Sequence, residues 1–188
     1  MFFNKLFQRS EEPPSPARRS YEKIVAQARH PEFYLNGGIE DTVDGRFDMI
    51  VLHAVIFIAR LNEDNTEESK AASQAVFDEM FRDMDRSLRE MGVGDLSVGK
   101  KVKKMAQVFY GRAKAYDDAM KAYVEKPEEL ESAVARNLFA ERQHNDEPRA
   151  FAKYMMACRA RLGETPQGDL CAGTFEFAAP DTHFGDTA

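Results

Sequence analysis

The sequence contains no tryptophan and only two cysteines among its 188 residues. Two cysteines are too few for the disulfide framework of a small secreted scaffold. Cys158, on the apolar stripe of a predicted helix, reads as an ordinary buried thiol, and Cys171, in a polar tail, as an exposed one. Both fit a reducing compartment. No apolar run approaches the roughly 20 residues that a membrane-spanning helix requires. The longest covers residues 49–59 and is interrupted by His53, which suits a central helix buried on most sides. A secretory signal is also missing. Met1-Phe2-Phe3-Asn4-Lys5-Leu6-Phe7 is apolar but broken by Asn4 and Lys5, and it lacks a small-residue cleavage site. It reads as a frayed terminus, or as a segment that lies on a membrane surface or a partner.

Excess positive charge is absent too. A net charge of −6 and a pI of about 5.3 argue against a general nucleic-acid binder, and no DNA partner is expected. Signatures of catalysis are scarce. There is no Gly-x-Ser-x-Gly elbow and no Cys-x-x-Cys, and His30, His53, His144 and His183 fall in unrelated places. Gly94-Asp95-Leu96-Ser97-Val98-Gly99-Lys100-Lys101 nearly matches a phosphate-binding loop. Lys101, however, stands where a magnesium-binding hydroxyl is needed, and the segment follows a helix rather than a strand. Glu141 and His144 have the Glu-x-x-His spacing of di-iron bundles, which need a second such motif and two further glutamates. No cofactor or metal is therefore expected, and a helical metalloenzyme built on Glu141 and His144 is the less favoured alternative.

What is present is helical patterning. Ser15-Pro16 supplies an N-cap and a first-turn proline, and Tyr21, Ile24, Val25 and Ala28 form the stripe of a helix ending near Arg29. A second helix is predicted over residues 46–61. A third starts at Asn65, with Glu68 as capping-box partner, and runs to Met91. Its Val76, Phe77, Met80, Phe81, Met84, Leu88 and Met91 recur at spacings of three and four. Ser97 caps a fourth helix extending to about Val124, Pro127 opens a fifth, and Pro148 opens a sixth carrying Phe151, Met155, Cys158 and Leu162. The expected fold is all-α: a single-domain bundle of about six helices over residues 15–163. A disordered segment, 1–14, precedes it, and an irregular acidic tail, 164–188, follows. Within that tail Thr174-Phe175-Glu176-Phe177 alternates like a short extended piece.

Several charged groups are candidates for a binding role. Lys100, Lys101, Lys103 and Lys104 cluster in the first turns of the fourth helix, where positive charge opposes the macrodipole. They are either solvated lysines or a contact for an anionic partner such as acidic side chains, lipid headgroups or RNA. Asp78, Glu79, Asp83 and Asp85 read as a solvated acidic face, and His53 as a core histidine with one hydrogen-bond partner.

Three stretches point further. Asp41-Thr42-Val43-Asp44-Gly45-Arg46-Phe47-Asp48-Met49 comes first. Phe81-Arg82-Asp83-Met84-Asp85-Arg86-Ser87-Leu88-Arg89-Glu90-Met91-Gly92-Val93-Gly94-Asp95 comes second, and Phe109-Tyr110-Gly111-Arg112 with Tyr116-Asp117 third. In this order and spacing, over roughly residues 21–160, the chain resembles the ubiquinol–cytochrome c chaperone family. Its mitochondrial members are assembly factors of the cytochrome bc1 complex.

The resemblance implies a non-enzymatic chaperone that binds newly made cytochrome b, a membrane-protein client, until haem and other subunits arrive. It implies a small partner protein and the ribosome as further contacts. The family's polar motif falls here on Arg46, Asp48, His53, Asp83, Asp85, Lys100, Tyr110, Arg112 and Tyr116. An Arg-rich, acid-poor transit peptide is missing, so a bacterial member acting from the cytoplasmic side, peripheral at the inner membrane, is expected. The alternative is a peripheral membrane or ribosome adaptor that uses residues 100–104.

Overall fold

The computed structural model describes residues 13–139 and 145–184. Six helices of three turns or more make up the bundle: α1 (Pro16–Ala28), α3 (Val43–Glu63), α4 (Glu67–Glu90), α5 (Asp95–Ala122), α6 (Pro127–Leu138) and α7 (Glu147–Gly163). Three short ones join them: α2 (Glu32–Leu35), α8 (Gln167–Cys171) and α9 (Asp181–Phe184). There is no strand among the described residues.

The apolar run becomes α3, the axis of the molecule. Met49, Ile50, Val51, Leu52, His53, Ala54, Val55, Ile56 and Phe57 are consecutive and all buried, because α1, α4, α5 and α7 pack around this helix. Over these nine residues the helix is covered on all sides, so this stretch has no solvated stripe and no strong amphipathic pattern. It starts three residues before the predicted Arg46, because Thr42 accepts the Gly45 N–H at 3.1 Å and Asp44 favours the positive end of the dipole. Gly45 is required there. A Cβ on it would lie 2.2 Å from the Glu40 carbonyl oxygen.

Two other helix starts also move. The cap of α4 is Thr66, not Asn65, and the reciprocal partner is Ser69, not Glu68: Thr66 accepts from the Ser69 N–H, and Ser69 accepts from the Thr66 N–H, both at 3.1 Å. Asn65 instead takes the left-handed conformation, φ 49°, that turns the chain out of α3, a role asparagine tolerates better than most residues. Helix α5 begins at Asp95 behind a Gly94 cap, ahead of the predicted Ser97. Lys100 and the lysines after it therefore lie beyond the first turn, where the macrodipole has little hold on them.

The tail carries more structure than expected. After α8 it runs without regular structure from Gly173 to Ala179, yet it buries Leu170, Phe175 and Phe184. Phe175 stacks on Phe57 at 4.3 Å, and Phe184 sits among Phe33, Phe151 and Tyr154. The alternation seen in residues 174–177 is real, but it serves a strap over the core rather than a strand. Arg19 of α1 donates two hydrogen bonds to the Ala172 carbonyl, at 3.1 and 2.6 Å. Gly173 has φ 75°, and a Cβ on it would come within 2.8 Å of the Pro16 carbonyl oxygen, so the strap crosses the start of α1 in close contact.

Candidate functional site

The candidate residues separate into four groups. His53 and Tyr116 are fully buried. The His53 Nδ1 lies 2.7 Å from the Met49 carbonyl and its Nε2 2.7 Å from the Tyr154 hydroxyl. The carbonyl can only accept, so Nδ1 carries the proton and Nε2 accepts from Tyr154. Tyr154 in turn accepts from the Gln27 amide at 2.8 Å, and Gln27 donates to the Ala178 carbonyl at 2.9 Å. Burial pushes the His53 pKa down to about 4, so the imidazole is neutral. It is a core histidine with two partners rather than one, tying α3, α7, α1 and the strap together. The Tyr116 hydroxyl is buried beside Asn137, and burial holds its pKa above the usual tyrosine range.

Arg112 and Asp48 form the second group. They meet across α5 and α3 at 2.5 Å, with only 14% and 21% of their side chains exposed. Arg112 also donates to the Asn137 carbonyl at 3.0 Å, so one guanidinium joins α3, α5 and the C-terminal turn of α6. Desolvation raises the Asp48 pKa and Arg112 opposes that rise.

Surface pairs make up the third group. Arg46 grips Asp41 with two hydrogen bonds, at 2.5 and 3.0 Å. Asp85 is held by Arg89, which lowers its pKa, and Arg89 also reaches Asp95 of α5. Asp83 accepts from the Tyr21 hydroxyl at 2.8 Å and from Arg86. Glu79, expected on a solvated face, is only 8% exposed, because Arg18 reaches over from α1 at 2.9 Å and Arg82 also binds it. The acidic region of α4 is thus largely neutralised by arginines.

Tyr110 and the four lysines form the exposed group. Tyr110 is 61% exposed, with its ring 5.4 Å from that of Phe77. Lys100, Lys101, Lys103 and Lys104 are all exposed.

Tyr110 stands at the mouth of a groove of about 500 Å³ between the C-terminal halves of α3 and α5. Val55, Ile58, Ala59 and Ala113 line its floor, while Asn62, Glu63, Lys114 and Asp117 stand around it. The rim charges are locally paired, Lys114 with Asp118 at 2.7 Å and Lys121 with Asp117 at 2.5 Å. An apolar floor inside a polar rim is the anatomy of a protein-binding patch. Arg112 and Tyr116 set the spacing of the helices behind it without entering it. Sequence reasoning reached Tyr110 but missed Ile58, Ala59 and Ala113. The available signal was the end of the apolar run, where Ile58 and Ala59 give way to the polar Arg60 and Asn62 and are only partly buried.

No group of three or more metal-ligating side chains occurs among the described residues. Glu141 and His144 lie outside the described residues. Cys158 is buried, which pushes its thiol up to about 11, and Cys171 is half-buried rather than exposed. No helix among the described residues is long and apolar enough to cross a membrane.

The fold and the groove define an all-helical scaffold whose polar motif residues act mainly to lock helices together. Comparison with known proteins places it more closely: residues 36–177 match the ubiquinol-cytochrome C chaperone family, and the chain belongs to that family. It is 23% identical over 133 residues to the ubiquinol-cytochrome-c reductase complex assembly factor 1 of Xenopus laevis, an alignment covering 71% of this chain. The chain spans 64% of the length of that relative. The crystal structure of the Cbp3 homolog from Brucella abortus superposes with a TM-score of 0.80 at 34% identity, covering 89% of this chain and 91% of that one.

Proposed function

We propose that this protein is an assembly chaperone for the ubiquinol–cytochrome c reductase complex, and that its client is newly made cytochrome b. Family membership supports the assembly role, and the α3–α5 groove is the observation that carries the client reading. A nascent transmembrane segment is an apolar helix about 10 Å across. It needs an apolar floor for its side chains and a polar rim that stays in water, which Ile58, Ala59, Ala113 and the charges beside them supply. The chain acts by holding rather than by chemistry, at the cytoplasmic face of the inner membrane. A small partner protein and the ribosome belong to the same reading.

The test fills the groove without disturbing the core. Ala113→Arg places a long charged side chain across the floor from a helix face that is already partly exposed. The level of assembled complex in membranes should fall severalfold, as should recovery of cytochrome b with the tagged chain, while helical content and melting stay unchanged. Normal assembly with Ala113→Arg would remove the groove from the reading. Normal assembly after deletion of the whole gene would remove the assembly role itself.

A further inference from the structure

We propose that the outward face of the N-terminal half of α5 is a docking surface for an anionic lipid bilayer. The protein is acidic overall, yet residues 96–116 contain six cations and no acid. Two of the six are engaged, Arg112 with Asp48 and Lys114 with Asp118. Lys100, Lys101, Lys103 and Lys104 have no carboxylate within 4 Å among the described residues. That sets them apart from Lys70, Lys121 and Lys126, each of which sits beside an acid three or four positions away.

Helical geometry gathers these charges on one side. With 3.6 residues per turn, Leu96, Lys100, Lys103 and Lys104 fall within about 100° of arc, and Lys101 lies about 60° beyond its edge. Val98 and Phe109, both buried, point the opposite way. The four lysines span roughly 6 Å of helix axis, less than a Debye length at physiological salt, so an approaching surface meets them as one charge. Leu96 leads this stripe at 93% exposure, and Met91, just before the α4–α5 turn, is 54% exposed. An exposed leucine at the tip of a lysine cluster suits a bilayer interface: apolar tips enter the acyl boundary and lysine stems reach to the headgroups.

Nucleic acid is the other polyanion that four lysines could meet, and the patch suits it less. The arginines of the neighbouring α4, Arg82, Arg86 and Arg89, are all held by carboxylates and are not free to fork onto phosphates or stack on bases. Residues 95–108 of α5 contain no aromatic side chain to stack on a base, and the exposed Tyr110, two turns beyond Lys103 on the same face, already has its ring against Phe77 at 5.4 Å.

The absence of tryptophan makes the test direct. Leu96→Trp in the full chain introduces a single indole at the proposed contact. Its emission should shift to the blue with vesicles of phosphatidylcholine containing about one third phosphatidylglycerol, and stay unchanged with phosphatidylcholine alone. Co-sedimentation of the unmodified chain with the anionic vesicles should weaken on the order of a hundredfold in Lys100→Ala/Lys103→Ala/Lys104→Ala, and should weaken with added salt. Circular dichroism checks that the triple variant is folded. Equal binding by the triple variant, no blue shift on anionic vesicles, or lysine-dependent binding to purified ribosomes without binding to vesicles would each overturn the assignment. Because no client is present in these measurements, their outcome is independent of whether the groove holds cytochrome b.

Discussion

The Nε2 of His53 accepts the hydroxyl proton of Tyr154 across 2.7 Å, joining the central helix α3 to α7 at a point sealed from water. The pairing is compatible only with a neutral imidazole, and this has a consequence for acid stability. The folded-state pKa of about 4 lies below the unfolded value of 6.5. Above pH 6.5 neither state binds the proton and the term is constant. As pH falls from 6.5 to 4, the unfolded chain takes up a proton that the folded chain refuses, and stability drops by up to roughly 3 kcal/mol. Urea unfolding at a series of pH values should show this slope, and His53→Gln should flatten it while lowering stability at neutral pH. A wild-type slope in His53→Gln would assign the loss to other groups. The raised pKa of Asp48 acts in the opposite direction, so the difference between the two proteins is the quantity to read.

Arg112→Met should destabilise the bundle by about 2–4 kcal/mol, because it strands the half-buried Asp48 carboxylate and removes the donor to the Asn137 carbonyl. Asp48→Asn in the same background should restore part of that loss. Chemical denaturation of the two single variants and the double variant measures the coupling, and additive losses would mean that the pair is not energetically linked.

Two glycines of the family motif should respond in opposite ways. Gly45→Ala forces a Cβ onto the Glu40 carbonyl and should lower the melting temperature by several degrees. Gly111 sits inside α5 with open space around its missing side chain, so Gly111→Ala should raise stability by roughly 0.5–1 kcal/mol. If Gly111→Ala is stabilising but impairs assembly of the complex, the glycine serves the approach of a partner rather than the fold.

Phe175→Ala should cost about 3 kcal/mol, since it removes a ring that is 4% exposed and stacked on Phe57. Limited proteolysis should then cut within residues 172–180 before any helix is cleaved. Resistance equal to wild type would show that the strap is held mainly by Arg19 and Gln27.

The six main helices were legible because their apolar residues recur at three and four and their prolines mark first turns: Pro16, Pro127 and Pro148 each lie at or next to a helix start. The misplaced caps share a cause. Asn65, Thr66 and Ser97 are all competent N-caps, and backbone conformation decides among them, which no local pattern records. The tail looked irregular because Phe175, Phe177 and Phe184 are anchors separated by residues without periodicity, and each has a partner ring on a helix more than a hundred positions away. The groove was harder still. Its floor is defined by what α3 leaves uncovered, a property of packing rather than of any residue type.

The strap that crosses Pro16 and stacks on Phe57 has a temporal meaning as well. Residues 173–184 are synthesised after every helix they cover, yet the rings of Phe33, Phe57 and Phe151 have no complete shelter until they arrive. Folding from the N-terminus during translation therefore yields a bundle with an open seam. The bundle reaches its closed state only once the strap has left the ribosome, so every helix waits on a segment that is made after it.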